Sequence, residues 1–308
     1  MLKSLFTSAL LGSALVLGMT GLTTAREITH AMGVTEVPDA PQRIVMLTNE
    51  GTEALLYIGV VPVGAVQSWD ADPWYAHVAD ALKDTVPLGF ENAVNLEVLA
   101  SLEPDLIIGN KVRQEKIYDQ LSAIAPTVFA EDLSGSWKDN LALYSRTVGK
   151  EAEGQKALAD FDARAAALAA AVGPALEEQL SLVRFSPGRT RIYYKDTFAG
   201  GILAQIGFKR PPAQDRDEFA EEVQKERIPD MAGDRIFYFS ADADPDEAKA
   251  NLADWTSDPL WLNLEAVKAG KAQRVSELVW NTGGGIYCAN MLLDELAVIY
   301  GVPTPTAN

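Results

Sequence analysis

Residues 156–172 read KALADFDARAAALAAAV, and this stretch decides how the rest of the chain is organised. It is rich in alanine and contains neither glycine nor proline, so it favours one continuous helix. Gly173 and Pro174 follow immediately and are expected to end that helix.

Helix-forming residues already dominate from Trp137 onwards, with interruptions expected at Gly149 and Gly154. We therefore expect a helical connector over residues 137–173. It divides the chain into one segment before it and one segment after it.

The segment before the connector alternates short apolar runs with helical patterns. Residues 44–47 and 106–108 are apolar runs of the kind that form buried parallel strands. Residues 50–58 form a helical pattern between them, and Gly59 is suited to ending that helix. Alternating strands and helices predict a parallel α/β lobe over residues 26–136.

A second alternating series follows the connector and predicts another α/β lobe over residues 174–308. Its strands are expected at residues 180–185, 191–194, 235–239 and 273–276, and its helices at residues 201–206 and 287–300. The cleft between two such lobes is the usual place for a ligand. This architecture fits a two-lobed binding protein or a two-domain α/β enzyme.

The first 25 residues have the pattern of a secretory signal peptide. Lys3 precedes an apolar run over residues 10–19, and small residues lead to an expected cleavage after Ala25. The apolar run is shorter than the ~20 residues that a membrane-spanning helix needs. No cysteine lies near the cleavage point, which disfavours a lipid anchor, so the sequence predicts a secreted protein.

The chain is strongly acidic, with 43 Asp and Glu against 26 Lys and Arg and a net charge of −17. Nucleic acids and anionic membranes are bound by basic surfaces, so neither is an expected partner. A large net charge also keeps copies of a protein apart, and we expect a soluble monomer.

Metal-ligating residues are scarce in this sequence. His30 and His77 are its two histidines, and Cys288 is its one cysteine and is expected to pack in the core. A bare zinc or manganese site usually gathers more such ligands, so we expect no direct metal site and no resident cofactor. Any metal that the protein handles should arrive inside a chelator.

Several motifs appear in a fixed order: PQRIV at 41–45, NLE at 95–97 and LEPDLII at 102–108, then LVRF at 182–185 and DPLW at 258–261. Their order and spacing resemble the helical-backbone class of periplasmic binding proteins for siderophores, haem and vitamin B12. The second half is similar to the ferric-dicitrate and hydroxamate-siderophore branch. The resemblance covers nearly the whole mature chain.

The resemblance implies an α/β fold of two Rossmann-like lobes joined by a single long α-helix, with the ligand cleft between the lobes. It implies a protein that captures a ferric siderophore of the hydroxamate or citrate type, with the iron held by its chelator. The partner would be the permease dimer of an ABC importer in the inner membrane. The protein would not be an enzyme, and the sequence contains no Gly-rich phosphate loop or Gly-x-Ser-x-Gly elbow.

Two departures and two alternatives qualify this resemblance. Some hydroxamate-binding relatives have an arginine where this chain reads GFEN at 89–92, and catecholate-binding relatives often have one where it reads DTF at 196–198. The same fold could bind haem or a corrinoid instead. It could also bind bare ferric iron through tyrosines, although the adjacent Tyr193 and Tyr194 would point to opposite faces of a strand.

Arginines that follow or end strands are the main ligand-binding candidates, because a guanidinium donates paired hydrogen bonds to oxyanions. Ligands of parallel α/β lobes bind beyond the carboxyl ends of the strands, which is where Lys111 and Arg113 lie. Arg184 sits in an apolar strand, and an arginine is rarely buried without a partner. The full candidate set is Trp69, Lys111, Arg113, Arg184, Arg191, Tyr193 and Trp280.

The resemblance supports two of these residues and adds two others. Arg113 and Trp280 match an arginine and a tryptophan of the ferric-citrate relatives. Glu97 and Glu226 match the glutamates that dock into arginine pockets of the permease dimer, one from each lobe.

Overall fold

The computed structural model describes residues 25–240 and 245–306. The predicted signal peptide lies outside these residues apart from Ala25, so secretion stays a prediction. Within the described ranges, no helix is both long enough and apolar enough to cross a membrane.

The first half is built on a parallel sheet. An antiparallel hairpin of β1 (Ala25–His30) and β2 (Gly33–Pro38) precedes it. The sheet strands are β3 (Ile44–Met46), β4 (Gly64–Ala65), β5 (Val86–Pro87), β8 (Leu106–Asn110) and β9 (Thr127–Ala130), in the order β5-β4-β3-β8-β9. A small antiparallel pair, β6 (Gly89–Phe90) and β7 (Ala93–Val94), lies beside β5 in sequence. The helices are α1 (Asn49–Tyr57), α2 (Ala76–Ala79), α3 (Leu96–Ser101), α4 (Lys111–Gln114) and α5 (Tyr118–Ser122).

The connector is a pair of helices, α6 (Trp137–Thr147) and α7 (Glu151–Val172), which pack against each other. Gly149 has a φ of +75° and makes the turn between them. Gly154 does not interrupt the helix, as the sequence had suggested. It lies inside α7 at the contact with α6, where a Cβ would come within 2.2 Å of Ser145 Oγ.

The second half contains a mixed sheet in the order β12-β11-β10-β13-β14. Its strands are β10 (Leu180–Phe185), β11 (Arg191–Tyr193), β12 (Ala220–Glu222), β13 (Arg235–Ser240) and β14 (Ala272–Arg274). The first two of these are antiparallel neighbours, whereas β10, β13 and β14 run parallel. The helices are α8 (Phe198–Ile206), α9 (Pro245–Thr256), α10 (Pro259–Leu262), α11 (Glu265–Lys268) and α12 (Ile286–Tyr300).

One apolar core runs through both halves. It includes Ile108 of β8, Leu168 of α7 and Phe237 of β13, all fully buried. The C-terminal helix α12 contacts α1 of the first half as well as α7 and α8. The α/β fold with a long central helix is confirmed, whereas the lobe limits at 26–136 and 174–308 stay a prediction.

Candidate functional site

A cleft of about 700 Å³ lies between the two halves and is lined by residues of both. Four arginines face it: Arg113 from the first half, and Arg184, Arg189 and Arg191 from the second. They lie at the carboxyl ends of β8 and β10, at the start of α4, and on the turn into β11. The same cleft is also lined by four carboxyl side chains, those of Glu50, Asp70, Glu91 and Glu222. The arginine donors suit a ligand that is rich in oxygen acceptors.

Arg113 is held in place by a buried carboxylate and an aromatic platform. Its Nε donates to Glu91 Oε2 at 3.0 Å, and Glu91 is only 4% exposed. The guanidinium carbon of Arg113 lies 5.7 Å from the centre of the Trp69 ring. That ring stacks on Phe90 with centroids 5.9 Å apart, so the arginine is oriented before any ligand arrives.

Arg184 has a similar arrangement on the opposite side of the cleft. Its Nη2 lies 2.7 Å from Glu277 Oε1, and its Nη1 donates to the Tyr193 hydroxyl at 3.4 Å. Burial raises the pKa of the Glu277 carboxyl, although Arg184 opposes this shift. Each half therefore presents an arginine oriented by a buried glutamate.

The other two arginines are less constrained. Arg189 lies on the turn between β10 and β11, with its Nε 3.4 Å from Glu222 Oε2 and its side chain 61% exposed. The side chain of Arg191 makes neither an ion pair nor a hydrogen bond with any residue that the structure describes. Its donors are therefore available to a ligand without breaking an existing contact.

Comparison with known proteins assigns the chain to a family. The family model described as periplasmic binding protein matches residues 44–275, which is most of the chain. The chain belongs to the periplasmic binding protein family.

Several proteins are similar to this periplasmic binding protein over most of its length. The probable siderophore-binding lipoprotein YfiY of Bacillus subtilis is 51% identical over 284 residues, covering 89% of this chain and 87% of that protein. The Fe(3+)-citrate-binding protein YfmC of the same organism is 29% identical, covering 85% and 82%. The crystal structure of Staphylococcus aureus SirA complexed with staphyloferrin B superposes with a TM-score of 0.85 and 37% identity, covering 91% of this chain and 99% of that one.

The cleft of this periplasmic binding protein brings together five of the seven predicted ligand-binding residues. Trp69, Arg113, Arg184, Arg191 and Tyr193 all line it, although their contact with a ligand stays a prediction. Arg191 and Tyr193 reach the same cleft because alternate residues of β11 share a face.

Two predicted ligand-binding residues lie elsewhere, and these interpretations are corrected. Lys111 does not line the cleft, and its Nζ donates to Glu131 Oε1 at 2.6 Å. Trp280 is 1% exposed and belongs to a π-helical turn, Leu278–Thr282, instead of a loop. Its Nε1 donates to Glu295 Oε2 at 2.6 Å and its ring packs on Phe237, so it supports the core.

The glycines after Trp280 do approach the cleft. Gly283 and Gly284 line it, and Gly284 has a φ of +69°. At Gly285 a Cβ would lie 2.9 Å from the Glu50 carbonyl oxygen, so α1 and the start of α12 require glycine here to pack this closely.

Glu50 and Arg189 are cleft residues that the sequence did not single out. Glu50 is 5% exposed at the cleft floor, and its Oε2 accepts from Asn140 Nδ2 at 3.1 Å. Burial raises the pKa of the Glu50 carboxyl well above its usual range. Nothing in the local pattern distinguished Glu50 from the many solvated acids of this chain, because its burial depends on α6 and α12.

Glu97 and Glu226 are both exposed and do not line the cleft. Glu97 lies in the first turn of α3, and Glu226 lies in a 3-10 turn, Lys225–Met231. Their predicted docking role is compatible with this exposure and stays a prediction.

Proposed function

We propose that this protein captures a ferric siderophore of the citrate or hydroxamate type and delivers it to an ABC importer. The observation that carries the proposal is the cleft with arginines on both of its walls. Binding, and not catalysis, is the role that we assign to it.

The chemistry of the cleft matches such a ligand. Ferric citrate and hydroxamate complexes present oxygen atoms around the metal, and arginine donates strong hydrogen bonds to oxygen anions. Arg113 and Arg184 are oriented across the cleft from each other, and Arg191 adds free donors. Trp69 and the exposed Phe219 offer flat apolar surface to the organic part of the chelate.

The similar proteins support the ligand class. YfiY is named for siderophore binding and YfmC for Fe(3+)-citrate, and the SirA structure contains staphyloferrin B. Their similarity extends over most of each chain.

The alternative ligands find less support in the cleft. Neither histidine of the sequence lines it, although haem is often held by a histidine. A tyrosine site for bare iron would need several tyrosines. Tyr193 lines the cleft, whereas Tyr194 faces away and donates to Glu221 Oε2 at 2.7 Å.

We infer that the exported chain works outside the cytoplasmic membrane, in the periplasm, as a monomer. Glu97 and Glu226 would contact the permease dimer in the inner membrane, one from each half. The support for this part is their exposure and the names of the similar proteins, which include lipoproteins and periplasmic proteins.

Fluorescence titration tests the ligand class. Trp69 is the one tryptophan among the cleft-lining residues that the structure describes, so a ferric chelate should quench it directly. We expect saturable quenching by ferric citrate or a ferric hydroxamate, a weaker response to a ferric catecholate, and loss of most of the signal in Trp69→Phe. Saturation with haem and no response to any ferric chelate would contradict the proposal.

A further inference from the structure

Three metal-ligating side chains meet beneath the glycine loop of the cleft, although they are far apart in sequence. Glu53 belongs to α1, His77 to α2 and Cys288 to α12. Glu53 Oε1 lies 2.8 Å from His77 Nε2 and 3.0 Å from Cys288 Sγ, and the latter two atoms are 4.0 Å apart. This group is separate from the arginines that face the cleft.

The three side chains are buried and held in position. The side chains of Glu53 and His77 are 3% and 14% exposed, and Cys288 is fully buried. The His77 ring stacks on Tyr75 at 5.9 Å and meets Tyr287 edge-on at 6.1 Å. Because these neighbours fix the ring, little side-chain entropy remains to be lost when the group binds an ion.

Contrary to the expectation from the sequence that the chain has no direct metal site, we propose that Glu53, His77 and Cys288 bind one divalent transition-metal ion of the zinc class. Sulfur, imidazole nitrogen and carboxylate oxygen are the donors that zinc takes in proteins. Ligand distances of about 2.0–2.3 Å place tetrahedral donors roughly 3.3–3.8 Å apart, so shifts of about half an ångström would suffice.

Charge balance favours a divalent ion at this position. A thiolate and a carboxylate contribute two negative charges, and a neutral imidazole contributes none. The bound ion would leave the buried site neutral overall, which avoids the cost of an unpaired buried charge. On binding, Cys288 releases its thiol proton to solvent, and the imidazole proton resides on Nδ1.

The bound ion would connect three elements that the chain brings together only in the folded state. Gly283 lies against this site, where a Cβ would come within 2.2 Å of Cys288 Sγ, and the same glycine lines the cleft. Metal binding would therefore reduce the mobility of the cleft-lining loop at Gly283. The competing interpretation is a hydrogen-bonded helix cap, since Cys288 N already donates to Glu53 Oε2 at 3.0 Å.

Titration of the untagged protein with Co²⁺ and Zn²⁺ separates the two interpretations. We expect one Co²⁺ per chain with an intense near-ultraviolet absorption from thiolate coordination, and its displacement by Zn²⁺. Loss of a group that merely orients a metal ligand costs about 10–100-fold in affinity. Cys288→Ser and His77→Gln remove direct ligands and should each cost at least about 100-fold.

His30→Gln is the matched control, because His30 is the other histidine and lies on β1, away from this group. It should bind Co²⁺ as the unmodified protein does. If Cys288→Ser fails to fold, His77→Gln alone decides, since glutamine can keep the contact with Glu53. Absence of Co²⁺ and Zn²⁺ binding, or binding that survives His77→Gln, would overturn the proposal. Ferric chelate binding is measured separately by Trp69 fluorescence, so failure of one proposal does not imply failure of the other.

Discussion

Replacement of Arg184 by alanine should weaken ferric chelate binding in a protein that still folds. The guanidinium contacts Glu277 at 2.7 Å and Tyr193 at 3.4 Å, and the side chain is 21% exposed towards the cleft. The residue also lines the cleft, so the Nη hydrogens that these two contacts leave unused can donate to a ligand there. A hydrogen bond to a charged group contributes about 1.5–3 kcal/mol. That range corresponds to roughly a 10–150-fold rise in Kd for ferric citrate.

The same substitution also leaves Glu277 buried without its ion pair. Breaking a buried pair destabilises a protein, although Glu277 can take up a proton because burial raises its pKa. Arg235→Ala is the matched control, since Arg235 pairs with Glu178 at 3.1 Å with its side chain 16% exposed. Arg235 lies at the start of β13, beside the amino end of β10 and away from the cleft. Urea unfolding and fluorescence titration of both variants separate stability from affinity.

We expect both variants to lose stability and only Arg184→Ala to lose affinity. A variant Arg184→Ala that unfolds more easily but binds ferric citrate with an unchanged Kd would refute the assignment. Arg184 would then be a structural ion-pair residue.

Three further predictions concern protonation, lobe motion and docking. Burial raises the Glu50 pKa well above 4.5, and the neighbouring Glu53 and Glu91 add to the shift, so the folded state retains a proton that the unfolded state releases. The free energy of unfolding should therefore fall as the pH rises from about 4.5 to the folded-state pKa of Glu50. Urea unfolding of Glu50→Gln should show a weaker dependence on pH. An unchanged dependence would contradict the assignment of a buried, protonated Glu50. Small-angle scattering should detect little compaction on ligand binding. Bending α7 would break its backbone hydrogen bonds and disturb its packing on α6 and α12. A large compaction would reveal a hinge between the two halves. Replacing both Glu97 and Glu226 by lysine should leave the affinity for the chelate intact and abolish uptake. Surface charges orient the approach of the protein to its permease more than they add to affinity. Normal uptake by the double variant would show that both glutamates serve only solubility.

Local patterns predicted most of the secondary structure because each signal acts within a few residues. Asn95 is a residue type that favours helix starts, and its side chain accepts from Val98 N at 3.1 Å. The helix predicted at residues 201–206 is followed by Gly207, a residue type that favours helix ends, and it caps the helix with a φ of +106°. Gly154 was misinterpreted because its function depends on a neighbouring helix. The antiparallel pairing of β11 was also missed, since strand direction is set by the whole sheet.

Strand geometry predicted the cleft arginines better than it predicted the aromatic residues. Arg113 and Arg184 reach the cleft because they lie at the carboxyl ends of strands, where ligands of α/β folds bind. Trp280 follows a strand too, yet its burial is decided by α12 packing over it. The group of Glu53, His77 and Cys288 joins positions up to 235 residues apart, and no local pattern could bring these together.

Native mass spectrometry of the protein with iron and citrate measures the mass of the ligand that the protein binds. We predict a bound mass equal to an intact ferric citrate complex, lost or strongly reduced when Arg113 and Arg184 are both replaced by alanine. A bound mass equal to iron alone, or an intact complex that persists in the double variant, would show that these arginines do not hold a ferric chelate in the cleft.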